Sequence, residues 1–310
     1  MTSSRSTRRA IAALTAAATA TMLPAVQPAS AASPSCAHWT AHTVSAGHGI
    51  LENLAFDGRG NLLLSEQSAT GGAGAIVRLG ADGSAGVAVP AVDTPGGIVV
   101  DGGTAYFTTG NSVASALANR ADGTIRALDL DTGALTTVAT GLTMPNGLAR
   151  LPDGDFVVSR DIGAATMTRV AADGTAVPYA PSLSSTNGLA FDRQRQRLVV
   201  STTFDPATLI TAVDYADPAR PMPRTVVPGF GPLNSADDLT VDADGTVYVA
   251  LNAAGRIQRV DLDTGQTCAI ADGLPLSSSV RFGAGPGWDP TALYVTSFLG
   301  TVTRLTPPTG

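Results

Sequence analysis

Six copies of one β-hairpin, Gly/Asp turns between short alternating strands, and a near-absence of helical periodicity predict an all-β chain folded as a six-bladed β-propeller. Counted on the first apolar residue of each hairpin, Leu54, Ile98, Leu148, Leu189, Leu239 and Val280, the steps are 44, 50, 41, 50 and 41 residues. One four-stranded blade fills a period of that length.

The hairpins follow in order. "ENLAFDGRGNLLLSE" opens at Glu52, "TPGGIVVDGGTAYFTTG" at Thr94 and "MPNGLARLPDGDFVVSRD" at Met144. "TNGLAFDRQRQRLVVSTT" opens at Thr186, "ADDLTVDADGTVYVALN" at Ala236 and, more loosely, "SSVRFGAGPGWDPTALYVTSF" at Ser278. Each supplies the two inner strands of a blade. Intervening stretches such as "GTIRALDLDTGALTTVATG" (123–141) and "GRIQRVDLDTGQTCAIADG" (255–273) supply the outer two. After Val280 there is room for only three strands, near 280–284, 291–298 and 301–305, so the last blade lacks its fourth. "AHTVSAG" at 41–47 is expected to fill that place and close the ring, which removes exposed sheet edges.

Residues 1–31 carry Arg5, Arg8 and Arg9, no acid, and an apolar run ending in "PASAAS", the pattern of a secretory signal peptide cleaved near Ala31 or Ala32. Either a Sec or a twin-arginine route fits, and the product is expected outside the cytoplasm. Residues 32–310 then form a single propeller domain with 25 acidic against 16 basic residues, a net charge of −9. Such a balance argues against nucleic acid as a partner. No later apolar run is long enough to span a bilayer. A monomer is expected. Of two cysteines, Cys36 falls at the outer rim of blade six and Cys268 on the outer strand of blade five, so a disulfide clasping the closure is expected in an oxidising compartment; the alternative is two unpaired thiols.

The "DLDTG" and "DADG" segments at Asp129, Asp261 and Asp242 are read as turns rather than calcium loops, because each is too short to wrap six or seven oxygens round an ion. The residues that start the innermost strands are different, since in a propeller these starts converge on the axis. They are Glu52, Gly96, Asn146, Asn187, Asp237 and Ser279. Glu52, Asn146, Asn187 and Asp237 offer oxygen ligands, and two carboxylates with two amides suit calcium better than zinc or copper. Taken singly, each reads better as a turn cap; the pattern of all four is what points to a cation. Asp238 is expected to point away along the strand, and His48, ahead of Glu52, is placed within reach of the tunnel mouth.

"NGLAF" at 187–191, "PNGLA" at 145–149 and "DDLTVDADGTVYVA" at 237–250 resemble the senescence-marker-protein, gluconolactonase and luciferin-regenerating-enzyme family, and more distantly the paraoxonases and diisopropyl fluorophosphatases. The resemblance implies one calcium in the central tunnel, held at the positions of Glu52, Asn146, Asn187 and Asp237. It also implies hydrolysis of a small lactone or ester, with Asp237 as general base or nucleophile. Two positions depart from the family pattern: Asn-Leu follows Glu52 where Gly-Pro is usual, and Asp238 follows Asp237 where Gly is usual. Second strands end on Glu66, Asn111, Arg160, Asp161, Phe204 and Asn252, candidates for the rim that selects substrate. An extracellular binding propeller with a structural calcium is the rival. A quinone-dependent dehydrogenase or a serine hydrolase would want a histidine, and all three lie at 38, 42 and 48; no Gly-x-Ser-x-Gly elbow is present.

Overall fold

A computed structural model describes residues 36–70, 73–163, 167–220 and 224–308; the signal peptide expected over 1–31 lies outside the described residues. Six antiparallel four-stranded sheets make up the six blades of a propeller. Their innermost strands are Ile50–Phe56, Ile98–Asp101, Leu148–Arg150, Thr186–Asp192, Ala236–Val241 and Ser277–Phe282.

Strand pattern follows position in the blade. Inner strands lie between neighbouring sheets and are buried on both faces, whereas an outer strand such as Ala85–Val92 is largely exposed. The six apolar anchors counted in the sequence are each 2% exposed or less. The core is therefore not one central mass. It is six clusters, one at each junction between blades, as where Leu51, Leu54, Leu62 and Leu64 of blade one meet Tyr294 and Val302 of blade six. Each wholly buried leucine contributes roughly 1.5–3 kcal/mol. At that same junction Phe56, Trp288 and Tyr294 meet edge to face with ring centres 5.0–5.3 Å apart, and Trp288 Nε1 donates to Gly60 O at 3.0 Å.

The Asp-Gly segments are turns. Asp129 Oδ1 accepts from the Asp131 and Thr132 amides at 2.9 and 2.8 Å, and Asp261 Oδ1 does the same with Asp263 and Thr264. Helix is confined to two short pieces among the described residues, Val113–Leu117 and Gly231–Asn234, and no helix there is long and apolar enough to cross a membrane.

Closure occurs as the strand count requires. Thr40–Ala46 pairs antiparallel with Thr301–Thr306, from Thr40 opposite Thr306 to Ala46 opposite Thr301, and forms the outer strand of the last blade. Cys36 and Cys268 are disulfide-bonded with Cα atoms 5.6 Å apart, and the Trp39 amide donates to Ile270 O at 2.7 Å. The N-terminal segment is thus tied both to its own sheet and to its neighbour.

Candidate active site

Local backbone chemistry aims the strand openers. In blades one, four, five and six the pairing slips by one residue at the opener, so the inner strand carries one residue too many there. Such a bulge turns a side chain out of the sheet's alternation. The extra residue sits at Glu52 in blade one, at Asn187 and Gly188 in blade four, and at Asp237 and Asp238 in blade five. In blade six it falls at Ser278, not Ser279 as read from the sequence. Neither serine faces the axial cavity. Ser278 Oγ donates to Leu51 O at 2.6 Å, and Ser279 Oγ donates to Asp238 Oδ2.

A second repeated position, unread in the sequence, holds the openers in place. A hydroxyl near the end of one blade's second strand donates to the opener carbonyl of the next: Ser65 to Gly96 O at 2.6 Å, Thr108 to Asn146 O at 3.3 Å, Ser159 to Asn187 O, and Ser201 to Asp237 O at 2.6 Å. Blade five has Ala250 at this place, and in blade six Thr296 accepts from Ser278 at 2.9 Å. The glycines after the two asparagines serve the same packing. A Cβ on Gly147 would stand 2.3 Å from Asn187 O, and one on Gly188 2.6 Å from Asp237 O. Only glycine allows the strands to approach so closely.

Where the residue after the opener is not glycine, the replacements satisfy one another. Asp238 Oδ2 accepts from Asn53 Nδ2 at 2.8 Å and from Ser279 Oγ, and lies 2.7 Å from Arg281 Nη2. The two departures from the family pattern, Asn53 and Asp238, are therefore partners across the ring. Asp238 is thereby directed away from the cavity.

Glu52, Asn146, Asn187 and Asp237 all line one axial cavity of about 420 Å³. Asn111, Asp161, Phe204 and Asn252 of the expected rim line it too. Glu66, Arg160 and His48 do not. His48 Nδ1 lies 3.3 Å from Glu66 Oε2, and its Nε2 is 2.8 Å from Ser45 Oγ. Arg160 turns outward to Asn119 Oδ1 and Ala116 O, 3.3 and 3.1 Å away. It borders a larger groove, about 550 Å³, between blades two and three, whose described lining holds no carboxylate.

The cavity is electrostatically unbalanced. No arginine, lysine or histidine is among its described lining residues, while Glu52, Asp161 and Asp237 are. Burial, then the nearby Asp161 charge, pushes the Glu52 carboxyl up to about 8, with a bond from Asn111 Nδ2 at 3.0 Å opposing the shift. Burial and Glu52 raise Asp237 well above the usual carboxylate range, against the pull of Asn252 Nδ2 at 3.3 Å. Asp161 is pushed up to about 6 by burial, partly offset by its bond with the Asn146 side chain. Asn111 Oδ1 and Asp161 Oδ1 are buried with no hydrogen-bond partner. Two carboxylates and two amides from four blades, with two orphaned oxygens beside them, make a hard, all-oxygen donor set that fits a calcium-like cation. No group of three or more His, Cys, Asp or Glu that could hold a metal ion occurs among the described residues.

Asp161 is the residue whose weight sequence reasoning underestimated. It follows a second strand, where only asparagine recurs, as Asn111 and Asn252, so only its position marked it as part of the rim.

Residues 156–298 match the model of the SMP-30/Gluconolactonase/LRE-like region, which bears out the resemblance carried by the short motifs. A gluconolactonase from Xanthomonas campestris has a similar structure, with a TM-score of 0.66 at 21% identity over 91% of this chain and 97% of that one. Regucalcin, a calcium-binding protein from Agrobacterium tumefaciens, gives 0.64 at 16% over 87% and 95%. The PQQ-bound aldose sugar dehydrogenase from Streptomyces coelicolor gives 0.62 at 19% over 89% and 99%. At these identities the likeness is one of fold, and a fold shared by a lactonase and a dehydrogenase leaves the chemistry to the site. No curated protein sequence matches the chain.

Proposed function

With the SMP-30, gluconolactonase and luciferin-regenerating-enzyme region as premise, we propose that this protein is an exported, calcium-dependent hydrolase of lactones or related esters. The observation that carries the reading is the convergence of Glu52, Asn146, Asn187 and Asp237, from four separate blades, on a single cavity whose described lining has no cationic side chain. Glu52 and Asp237 are raised by burial and by neighbouring acids, and Asp161 beside them by burial; three such carboxyls are costly without a counter-charge, and a divalent cation supplies it.

Glu52, Asn146, Asn187 and Asp237 would hold the ion. When bound, calcium supplies Lewis-acid polarisation of an ester carbonyl. The chain's own residues do the rest. Asn252 fixes the Asp237 carboxylate through Oδ2, and Asp237 removes the proton from the attacking water or itself attacks the carbonyl carbon. Asn146 and Asn187 orient substrate as well as ion, Asn187 being held by its Nδ2 bond to Thr203 Oγ1 at 3.0 Å. Asn111 holds Glu52 and keeps its Oδ1 free inside the site.

The test is acid release from a panel of aldonolactones, alkyl lactones and aryl esters, with calcium and with a chelator. Turnover is expected only with calcium, and Asp237→Asn should lower kcat/KM by about 10²- to 10⁴-fold. If calcium raises the melting temperature while no substrate turns over, the protein is a binding propeller and the hydrolytic reading is wrong.

A further inference from the structure

We infer that the substrate taken by this cavity is an uncharged lactone or ester bearing an extended apolar substituent, not a polyhydroxylated or anionic one; this rests on the hydrolytic reading and adds the substrate class. Three observations meet here. The first is charge. The described lining holds the acids Glu52, Asp161 and Asp237 and no cationic residue, so it offers an anionic substrate no partner of opposite charge. A carboxylated or phosphorylated substrate would be repelled in a low-dielectric cavity.

The second is the state of the polar lining. A polyol is recognised by free donors and acceptors, and a hydroxyl buried without a partner costs about 1–3 kcal/mol. Here the side-chain donors bond the protein, and the unpartnered acceptors, Asn111 Oδ1 and Asp161 Oδ1, lie beside the donor set assigned to the ion. Gln67 Nε2 donates to Pro95 O at 3.1 Å, Thr203 Oγ1 to Ala236 O at 2.8 Å, Ser235 Oγ to Pro232 O at 2.9 Å and Asn252 Nδ2 to Asp237. What faces a substrate over the rest of the wall is Ile50, Val113, Met144, Ile162, Phe204 and Phe298.

The third is the mouth. Leu117, in the same short helix as Val113, is 77% exposed, and Leu299, next to Phe298, is 58% exposed. Phe230 and Leu233, 56% and 70% exposed, stand just ahead of the strand Ala236–Val241 that carries Asp237. Leu117 lies one helical turn from the lining residue Val113, Leu299 follows Phe298 and Leu233 comes two residues before Ser235, so we assign them to an apolar collar at the mouth, and a collar of this kind marks a ligand surface. On this inference a chain running from the reacting carbonyl would lie along Phe204 and Phe298 and leave toward Leu233 and Leu299.

The experiment uses the full chain with calcium and a series of γ-alkyl lactones from methyl to decyl, beside glucono-1,5-lactone and a carboxylated lactone. The expected kcat/KM rises by up to about fourfold per methylene until the chain clears the collar. Glucono-1,5-lactone and the carboxylated lactone should fall at or below the methyl compound. Leu233→Ser combined with Leu299→Ser should flatten the slope for the longer members, with folding checked by the calcium-dependent rise in melting temperature. A flat chain-length profile with glucono-1,5-lactone turned over as well as the decyl lactone overturns this inference and leaves the hydrolase standing. A flat profile with sedimentation on phosphatidylcholine vesicles also overturns it, and assigns the collar to a lipid surface. Failure of every lactone and ester, with the calcium effect on melting intact, removes the hydrolytic reading itself.

Discussion

Glu52 is the residue on which the cavity's charge imbalance can be read most directly. Its carboxyl is pushed from 4.5 to about 8 by burial and by Asp161, so the folded protein binds that proton more tightly than the unfolded chain does. The resulting stabilisation is complete below about pH 4.5, declines as pH rises, and is gone above about pH 8. In a chelator the melting temperature should therefore carry a downward component across that window, while the increment given by calcium should grow, since the ion displaces the same proton. Melting curves at pH 5–9 with and without calcium measure both, and a calcium increment that shrinks with rising pH would contradict the assignment. At this scale the sequence was informative where a residue recurs in register. Glu52, Asn146, Asn187 and Asp237 stand at one repeated position, and all four meet in the cavity. Asp161 stands at a position where only asparagine recurs. The hydroxyls of Ser65, Thr108, Ser159 and Ser201 do recur, but their signal, a Ser or Thr in an otherwise apolar second strand, is the ordinary composition of a β-strand and carries no direction.

Strands declare themselves through alternation and through their Asp-Gly turns, so the hairpins were legible nearly to their ends. Bulges were not, because an extra residue in a strand changes pairing without changing composition; the misplacement of the sixth opener from Ser278 to Ser279 is of that kind. What does mark the crossing is glycine. The Gly188 amide donates to Ser201 Oγ at 2.8 Å, and there is no room for a Cβ between this glycine and the Asp237 carbonyl. In Gly188→Ala the new methyl would meet that carbonyl at 2.6 Å, backbone that can yield only by moving the strand that carries Asp237. The expected cost is about 1–3 kcal/mol of stability in urea unfolding, accompanied by a weakened response to calcium. An unchanged calcium titration would mean that Asp237 is positioned by something other than this contact.

Across the whole molecule the six interblade clusters are alike, so integrity rests on the junction where the chain's two ends meet. The disulfide from Cys36 to Cys268 spans 232 residues, and closing a loop of that size in the unfolded chain is worth about 5 kcal/mol in the chain-entropy account. Replacing both cysteines by serine is expected to lower the melting temperature by about 10 °C, with calcium-dependent behaviour retained below the transition. Scanning calorimetry of the two proteins decides it; equal melting temperatures would show the clasp to be thermodynamically idle. This level was open to sequence reasoning because it is arithmetic, three strands where four are needed and two cysteines at the same seam.

That seam also orders events in time. The mate of Thr40–Ala46 is Thr301–Thr306, a segment synthesised after the other five blades. Until it arrives, an early strand keeps a bare row of amides and carbonyls. A chain cut short before that point keeps this adhesive edge and is expected to cling to other unfinished copies, whereas a chain that reaches it hides the edge within itself. The last blade thus acts as a built-in check that synthesis has run past the partner strand.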